Sequence, residues 1–220
     1  MSERTVPDEL LGCWQRNWIE FADGTRDDTS FVVWLQLPTL MADIRLSAAA
    51  VALAGRSGFD ECSWADLLSL AGSDSSSGST ACTLIALGAD GVPRATAEWT
   101  SSVSFQPESA YPEPGLLEWR PHGAVLIERA PSGAYVEQWQ LLPGSRGEAL
   151  HSVLDGGAEW YRSGDVGVLV RARSMSVPTV LSVARLTKLT DRRTLETLLD
   201  CEFSFARRIG DAWLIEASTL

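Results

Sequence analysis

The chain is poor in the residues that metal and nucleophilic chemistry need. It has two histidines, His122 and His151, and four cysteines, Cys13, Cys62, Cys82 and Cys201. No two cysteines stand at C-x-x-C spacing, so no zinc site is indicated. His122 sits in a Pro-His-Gly turn, which leaves His151, on a weak strand, as the one plausible axial ligand for a haem. No G-x-S-x-G, H-E-x-x-H, P-loop or Rossmann glycine pattern occurs. The expectation is a protein that carries no cofactor and no bound metal. The acidic pairs Asp27-Asp28, Asp60-Glu61 and Asp200-x-Glu202 read as solvated turns.

Positive charge is also scarce. Eighteen Lys and Arg stand against 29 Asp and Glu, a net charge of −11. That argues against nucleic acid, which needs basic patches, and against an anionic membrane surface. No apolar run approaches the ~18 residues of a membrane-spanning helix. The segment Met1–Glu9 is polar, contains Pro7 and lacks the apolar centre of a signal peptide. Together these point to a soluble, cytoplasmic protein with reduced thiols.

Tryptophan is abundant. Nine Trp outnumber six Phe and three Tyr among 220 residues. Each Trp is bulky and carries one N–H that needs an acceptor when buried. Strand patterns dominate the chain. Leu11–Phe21, Ser30–Leu37 and Met41–Leu46 alternate, with turn signals at Asp23-Gly24 and Pro38. Thr80–Leu87 and Arg94–Phe105 flank a hairpin signal at Asp90-Gly91. Gly115–Arg120, Ala124–Ala130 and Tyr135–Leu142 form a meander. Glu148–Val153 and Ala158–Arg162 are weaker strands, and Val166–Arg173 and Val180–Leu186 are strong. Cys201–Arg208 and Ala212–Glu216 make a terminal hairpin.

Two helices interrupt the strands. One starts at Ser63, an N-cap with Asp66 three residues on, and ends near Gly72. The other is capped by Asp191, with Leu195, Leu198 and Leu199 as its apolar stripe. Ser73–Ser79 reads as a flexible low-complexity loop, so Ser47–Ser79 is either a lid over a barrel mouth or a plain insertion. The count of short strands and the short connections predict an all-β fold: a single antiparallel β-barrel domain spanning 1–220, with one or two short helices. Tandem half-barrels are the alternative.

Barrel strands point alternate residues inward. On the first strand either Trp14, Arg16 and Trp18 face in, or Cys13, Gln15 and Ile19 do. The first choice avoids exposing two Trp, which would forfeit several kcal/mol of burial. Applied to the other strands, the same choice puts Trp34 and Gln36, Asp43 and Arg45, Trp99 and Ser101, and Tyr135, Glu137 and Trp139 inside. Buried charges must pair, so Arg16 or Arg45 is expected to meet Asp43 or Glu137. The plainer alternative turns the charges to solvent and makes the Trp ordinary core.

Trp14-x-Arg16, Asp28-Thr29, Trp34-Leu35-Gln36, Ala42-Asp43-x-Arg45, Tyr135-x-Glu137-x-Trp139, Asp200-Cys201-Glu202-x-Ser204-Phe205 and Ser218-Thr219-Leu220 together resemble a set of uncharacterised bacterial proteins of lipocalin-like, calycin-type fold. The resemblance implies a ligand-holding barrel, and the wider calycin group includes carriers, haem-binding nitrobindin-type barrels and a few isomerases or cyclases. The chain departs from the nitrobindin pattern in having no clear haem histidine near its C-terminal strands. Two functions follow as expectations. One is binding of a small, largely apolar or aromatic molecule in a hydrophobic cavity lined by Trp14, Trp18, Trp34, Gln36, Trp99, Ser101, Tyr135 and Trp139. The other is a cofactor-independent cyclase, isomerase or lyase, in which Asp43 or Glu137 moves a proton and Arg16 or Arg45 steadies negative charge.

Overall fold

Alternation along each strand commits one face to an interior, and the eight longest strands of the first 141 residues use it to close on themselves. The computed structural model describes residues 6–53, 55–56, 58–106, 113–174, 188 and 191–219. The strands β1 (Gly12–Phe21), β2 (Arg26–Asp27), β3 (Phe31–Gln36), β4 (Leu40–Leu46), β5 (Ser76–Cys82), β6 (Ala86–Leu87), β7 (Pro93–Ser104), β8 (Gly115–Trp119), β9 (Val125–Arg129) and β10 (Tyr135–Leu141) belong to one antiparallel sheet. Its order is β10-β9-β8-β7-β5-β4-β3-β1, and β10 pairs back onto β1, so eight strands form a closed up-and-down barrel. The short β2 and β6 hang on β1 and β7. Closure removes the free edges that an open sheet would expose.

The five remaining strands do not join the barrel. β11 (Ala149–Val153), β12 (Glu159–Ser163), β13 (Val166–Arg171), β14 (Glu202–Ile209) and β15 (Ala212–Ser218) make a separate antiparallel sheet in sequence order. Its inner face, with Tyr161, Val168, Phe203 and Phe205, packs on the outward residues of β3 and β4, among them Val33, Leu35, Ala42 and Ile44. Phe31 and Phe205 meet at 5.7 Å between ring centroids. The helices α1 (Ala48–Val51), α2 (Trp64–Ala71) and α3 (Arg192–Leu199) close the same apolar layer with Ala50, Leu67, Leu70, Leu195 and Leu199. The capping box at Ser63 and Asp66 and the Asp191 cap both form as their sequences predict. The predicted strand Val180–Leu186 lies outside the described residues.

The expected loop at Ser73–Ser79 is instead largely a barrel strand. Ser76–Cys82 pairs with β4 on one side and β7 on the other. Small residues are needed here because the strands approach closely: a Cβ on Gly78 would stand 2.0 Å from the Thr100 carbonyl oxygen. Ser47–Ser79 is therefore no lid over the mouth. It supplies two helices of the outer layer and one wall of the barrel.

Among the described residues no helix is long and apolar enough to cross a membrane. All four cysteines are free and buried.

Candidate functional site

The barrel interior is divided along its axis. At one end it is filled. Trp14, Leu117, Trp119, Leu126, Ala95 and Ala97 pack there, and Leu10, on a 3-10 turn at Asp8–Leu10, plugs the opening and accepts the Trp14 indole N–H at 2.8 Å. Gln36 ties this layer together. Its side-chain oxygen accepts from Trp34 Nε1 (3.0 Å) and Thr80 Oγ1 (2.8 Å), and its amide donates to the Leu37 and Leu40 carbonyls (2.7 and 3.1 Å). Every polar group of this buried side chain is thereby satisfied.

Towards the other end the barrel opens into a pocket of about 620 Å³. Trp34, Trp99 and Trp139 form its floor and one wall. Trp34 meets Trp99 at 5.4 Å and Trp139 at 5.9 Å, both edge to face, the geometry that ring quadrupoles favour. Gly115 makes room for this arrangement, since a Cβ there would fall 2.5 Å from the Trp99 ring.

Above the tryptophans lies a layer of charge. Glu137 is only 1% exposed. It accepts from Arg16 at 2.8 Å and is approached by Arg45 at 3.5 Å; Arg45 also pairs with Asp43 at 2.9 Å, and Arg16 with Asp27 at 3.2 Å. The ion pairs expected from shared parity are thus in place, inside the wall. Directly opposite Glu137 on the neighbouring strand is Glu128, equally buried. Like charges facing each other across a ladder are unfavourable. Burial first, and the nearby Glu137 second, push the Glu128 carboxyl up to about 8, while its Oε1 accepts the Tyr135 hydroxyl at 3.1 Å. Burial likewise raises Asp43 to about 6 against the opposing pull of Arg45. At neutral pH Glu128 therefore keeps its proton and Asp43 has mostly lost its own.

Three buried polar atoms on described residues that line the pocket have no hydrogen-bond partner: Gln106 Oε1, Glu137 Oε2 and Trp139 Nε1. The first two are acceptors and the third is a donor.

The residues singled out in the sequence divide into three groups. Trp34, Asp43, Arg45, Trp99, Ser101, Tyr135, Glu137 and Trp139 all line the pocket. Trp14 and Gln36 point inward but belong to the filled half, and Arg16 stands behind Glu137 as its ion-pair partner. Trp18 is a correction. The β1 register shifts between Arg16 and Trp18, with Arg16 opposite Trp139 but Trp18 opposite Gln138. This bulge turns Trp18 to the outside, where its N–H reaches Gln138 and the Arg26 guanidinium covers its ring at 4.5 Å. Ile19 takes the inward place.

The lining is also not the hydrophobic one expected. Asp43, Asp74, Glu98, Glu113, Glu128 and Glu137 line it beside the aromatics. Of these, Asp43 and Glu137 were singled out in the sequence and Glu128 was missed. Its signal was present: it alternates with Leu126 on β9 and so shares the inward face. His151 lies on β11, outside the barrel, where its Nε2 contacts Glu159 at 2.8 Å. Among the described residues no cluster of His, Cys, Asp and Glu is arranged to hold a metal ion.

No protein-family model, no curated protein and no solved structure matches this chain, so what is established is the closed eight-stranded antiparallel barrel with its buried tryptophan cluster.

Proposed function

We propose that the protein binds a small amphipathic molecule at the open end of the barrel, with its flat part against Trp99, which packs on the buried Trp34 and Trp139, and its polar part towards the Glu137 layer. The observation that carries this reading is the set of orphaned atoms Gln106 Oε1, Glu137 Oε2 and Trp139 Nε1, on residues that line the pocket. A buried polar atom without a partner costs about 1–3 kcal/mol, and a ligand bringing a complementary group removes that cost. A volume of about 620 Å³ suits an occupant of metabolite size. The calycin-type resemblance agrees with ligand carriage. A cytoplasmic setting is part of the reading and fits four free, buried thiols.

The test is a titration of Trp emission with N-phenyl-1-naphthylamine, a neutral aromatic probe. Saturable quenching is expected, and Ser101→Phe, which places a ring in the pocket, should abolish it. Linear, unsaturable quenching in the unsubstituted protein refutes the proposal.

Catalysis without a cofactor has one observation in its favour. Glu128, raised to about 8, and Asp43, raised to about 6, put a proton donor and a proton acceptor in one pocket at neutral pH. On that reading a bound metabolite would be recovered chemically altered; on the carrier reading it would be recovered unchanged.

A further inference from the structure

We infer that the pocket selects organic cations: a protonated amine carried on an aromatic or apolar body. This rests on the proposal that the pocket binds a small molecule, and it names the class of that molecule. Charge is the first ground. Six carboxyl groups, those of Asp43, Asp74, Glu98, Glu113, Glu128 and Glu137, line the pocket, and Arg45 is the one cationic side chain lining it among the described residues. Arg45 is already committed to Asp43 and Glu137, and Arg16 behind it to Glu137 and Asp27. A carboxylate or phosphate ligand would meet this acidic lining with no uncommitted cation to receive it. An ammonium would meet acceptors.

The second ground is one carboxylate's unmet hydrogen bond. Glu137 is 1% exposed, and its Oε2 has no donor. An ammonium N–H supplies that donor in charge-assisted form, the stronger kind of hydrogen bond. The third is aromatic. Trp99 borders the space, with Trp34 packed against its edge and the buried Trp139 beyond Trp34, and the Arg45 guanidinium already lies 5.9 Å from the Trp139 ring centroid. Trp faces attract cations, and more strongly where water is excluded. Aromatic faces beside carboxylates are the combination that suits an ammonium group on an organic body.

The groups facing Glu128 are Glu137 and Tyr135 on β10 and Arg45 and Asp43 on β4. A cation entering among them favours ionisation of Glu128 and Asp43, so amine binding should release protons and tighten as pH rises from 6 to 8.

The experiment measures affinities of the full chain for 2-phenylethylamine, 2-phenylethanol and 3-phenylpropionate by displacement of N-phenyl-1-naphthylamine. The amine should bind about tenfold or more tighter than the alcohol at pH 7, as one charge-assisted hydrogen bond implies, and the propionate should be weakest. Raising the pH from 6 to 8 should strengthen the amine and leave the alcohol unchanged. Glu137→Gln should narrow the gap between amine and alcohol; the ligand series on the unsubstituted protein decides the matter if that variant does not fold. Equal affinity for amine and alcohol, or tighter binding of the propionate, with the naphthylamine still bound, overturns the cation class and leaves the small-molecule proposal standing. No saturable binding by any of the four compounds overturns both.

Discussion

Replacing Arg16 by Met tests whether the charge layer is part of the fold's energetics. Arg16 is 8% exposed in its side chain and Glu137 is 1% exposed, at 2.8 Å from each other. In Arg16→Met the thioether fills most of the space of the arginine stem, so little packing is lost. Glu137 keeps only the longer contact with Arg45 at 3.5 Å, and Arg45 is shared with Asp43. Removing one partner of a buried pair costs about 3–5 kcal/mol because the other charge stays behind uncompensated. For a protein of this size each kcal/mol lowers Tm by roughly 2–4 °C, so Tm should fall by roughly 6–20 °C. The double variant Arg16→Met/Glu137→Met removes both charges and leaves Arg45 with Asp43. It should recover at least half of the loss, and urea unfolding of the four members of the cycle gives the coupling energy. A Tm unchanged in Arg16→Met, or a double variant whose loss equals the sum of the single losses, would refute the reasoning that the pair acts as a compensated buried unit.

Glu128→Gln should flatten the pH dependence of stability. Glu128 is raised from about 4.5 to about 8 in the folded protein, so between those values the native state holds a proton that the unfolded chain releases. Stability is fully present below the lower value and falls as pH rises towards the upper, by several kcal/mol for this group. The Asp43 shift acts in the same direction below pH 6. Urea unfolding from pH 5 to 8 should show the decline in the natural sequence and a shallower one in Glu128→Gln; identical slopes exclude the assignment. Gly78→Ala, with its Cβ 2.0 Å from a backbone oxygen of β7, should force β5 and β7 apart and cost a few kcal/mol, which thermal unfolding reads directly; a Tm within a degree of the natural protein shows that the contact is not tight.

Period-two alternation made the inward face legible wherever the ladder is regular. Trp14, Arg16, Trp34, Asp43, Arg45, Glu137 and Trp139 share the interior as their parity implies. Trp18 was misplaced because one extra residue in β1 resets the parity, and nothing in the local composition marks a bulge there. The first part of β5, Ser76–Ser79, was illegible for another reason, while Thr80–Cys82 fell within the strand read over Thr80–Leu87. Serine and glycine have low strand propensity, and their suitability comes from the close approach of β7, which the local sequence does not display. The five C-terminal strands alternate like the others, since a strand's pattern says that one face is buried and not which sheet buries it. The pocket's acidity could have been read by extending the parity argument to Glu128, which faces Glu137.

Packing the second sheet on β3 and β4 makes the barrel wall mechanically unequal around its circumference. Residues of β3 are buried on both faces, with Val33 and Leu35 under the outer sheet and Val32, Trp34 and Gln36 inside the barrel. On the far side, β8 turns Leu116 outward, 42% exposed, with no such cover among the described residues. Local opening is cheapest where few apolar contacts must be broken, so the clamped side acts as a fixed jaw and the β7–β8 side as the one that yields. Trp99 and Gly115, which shape the pocket, both stand on that yielding side, so widening of the mouth is coupled to the position of the Trp99 ring.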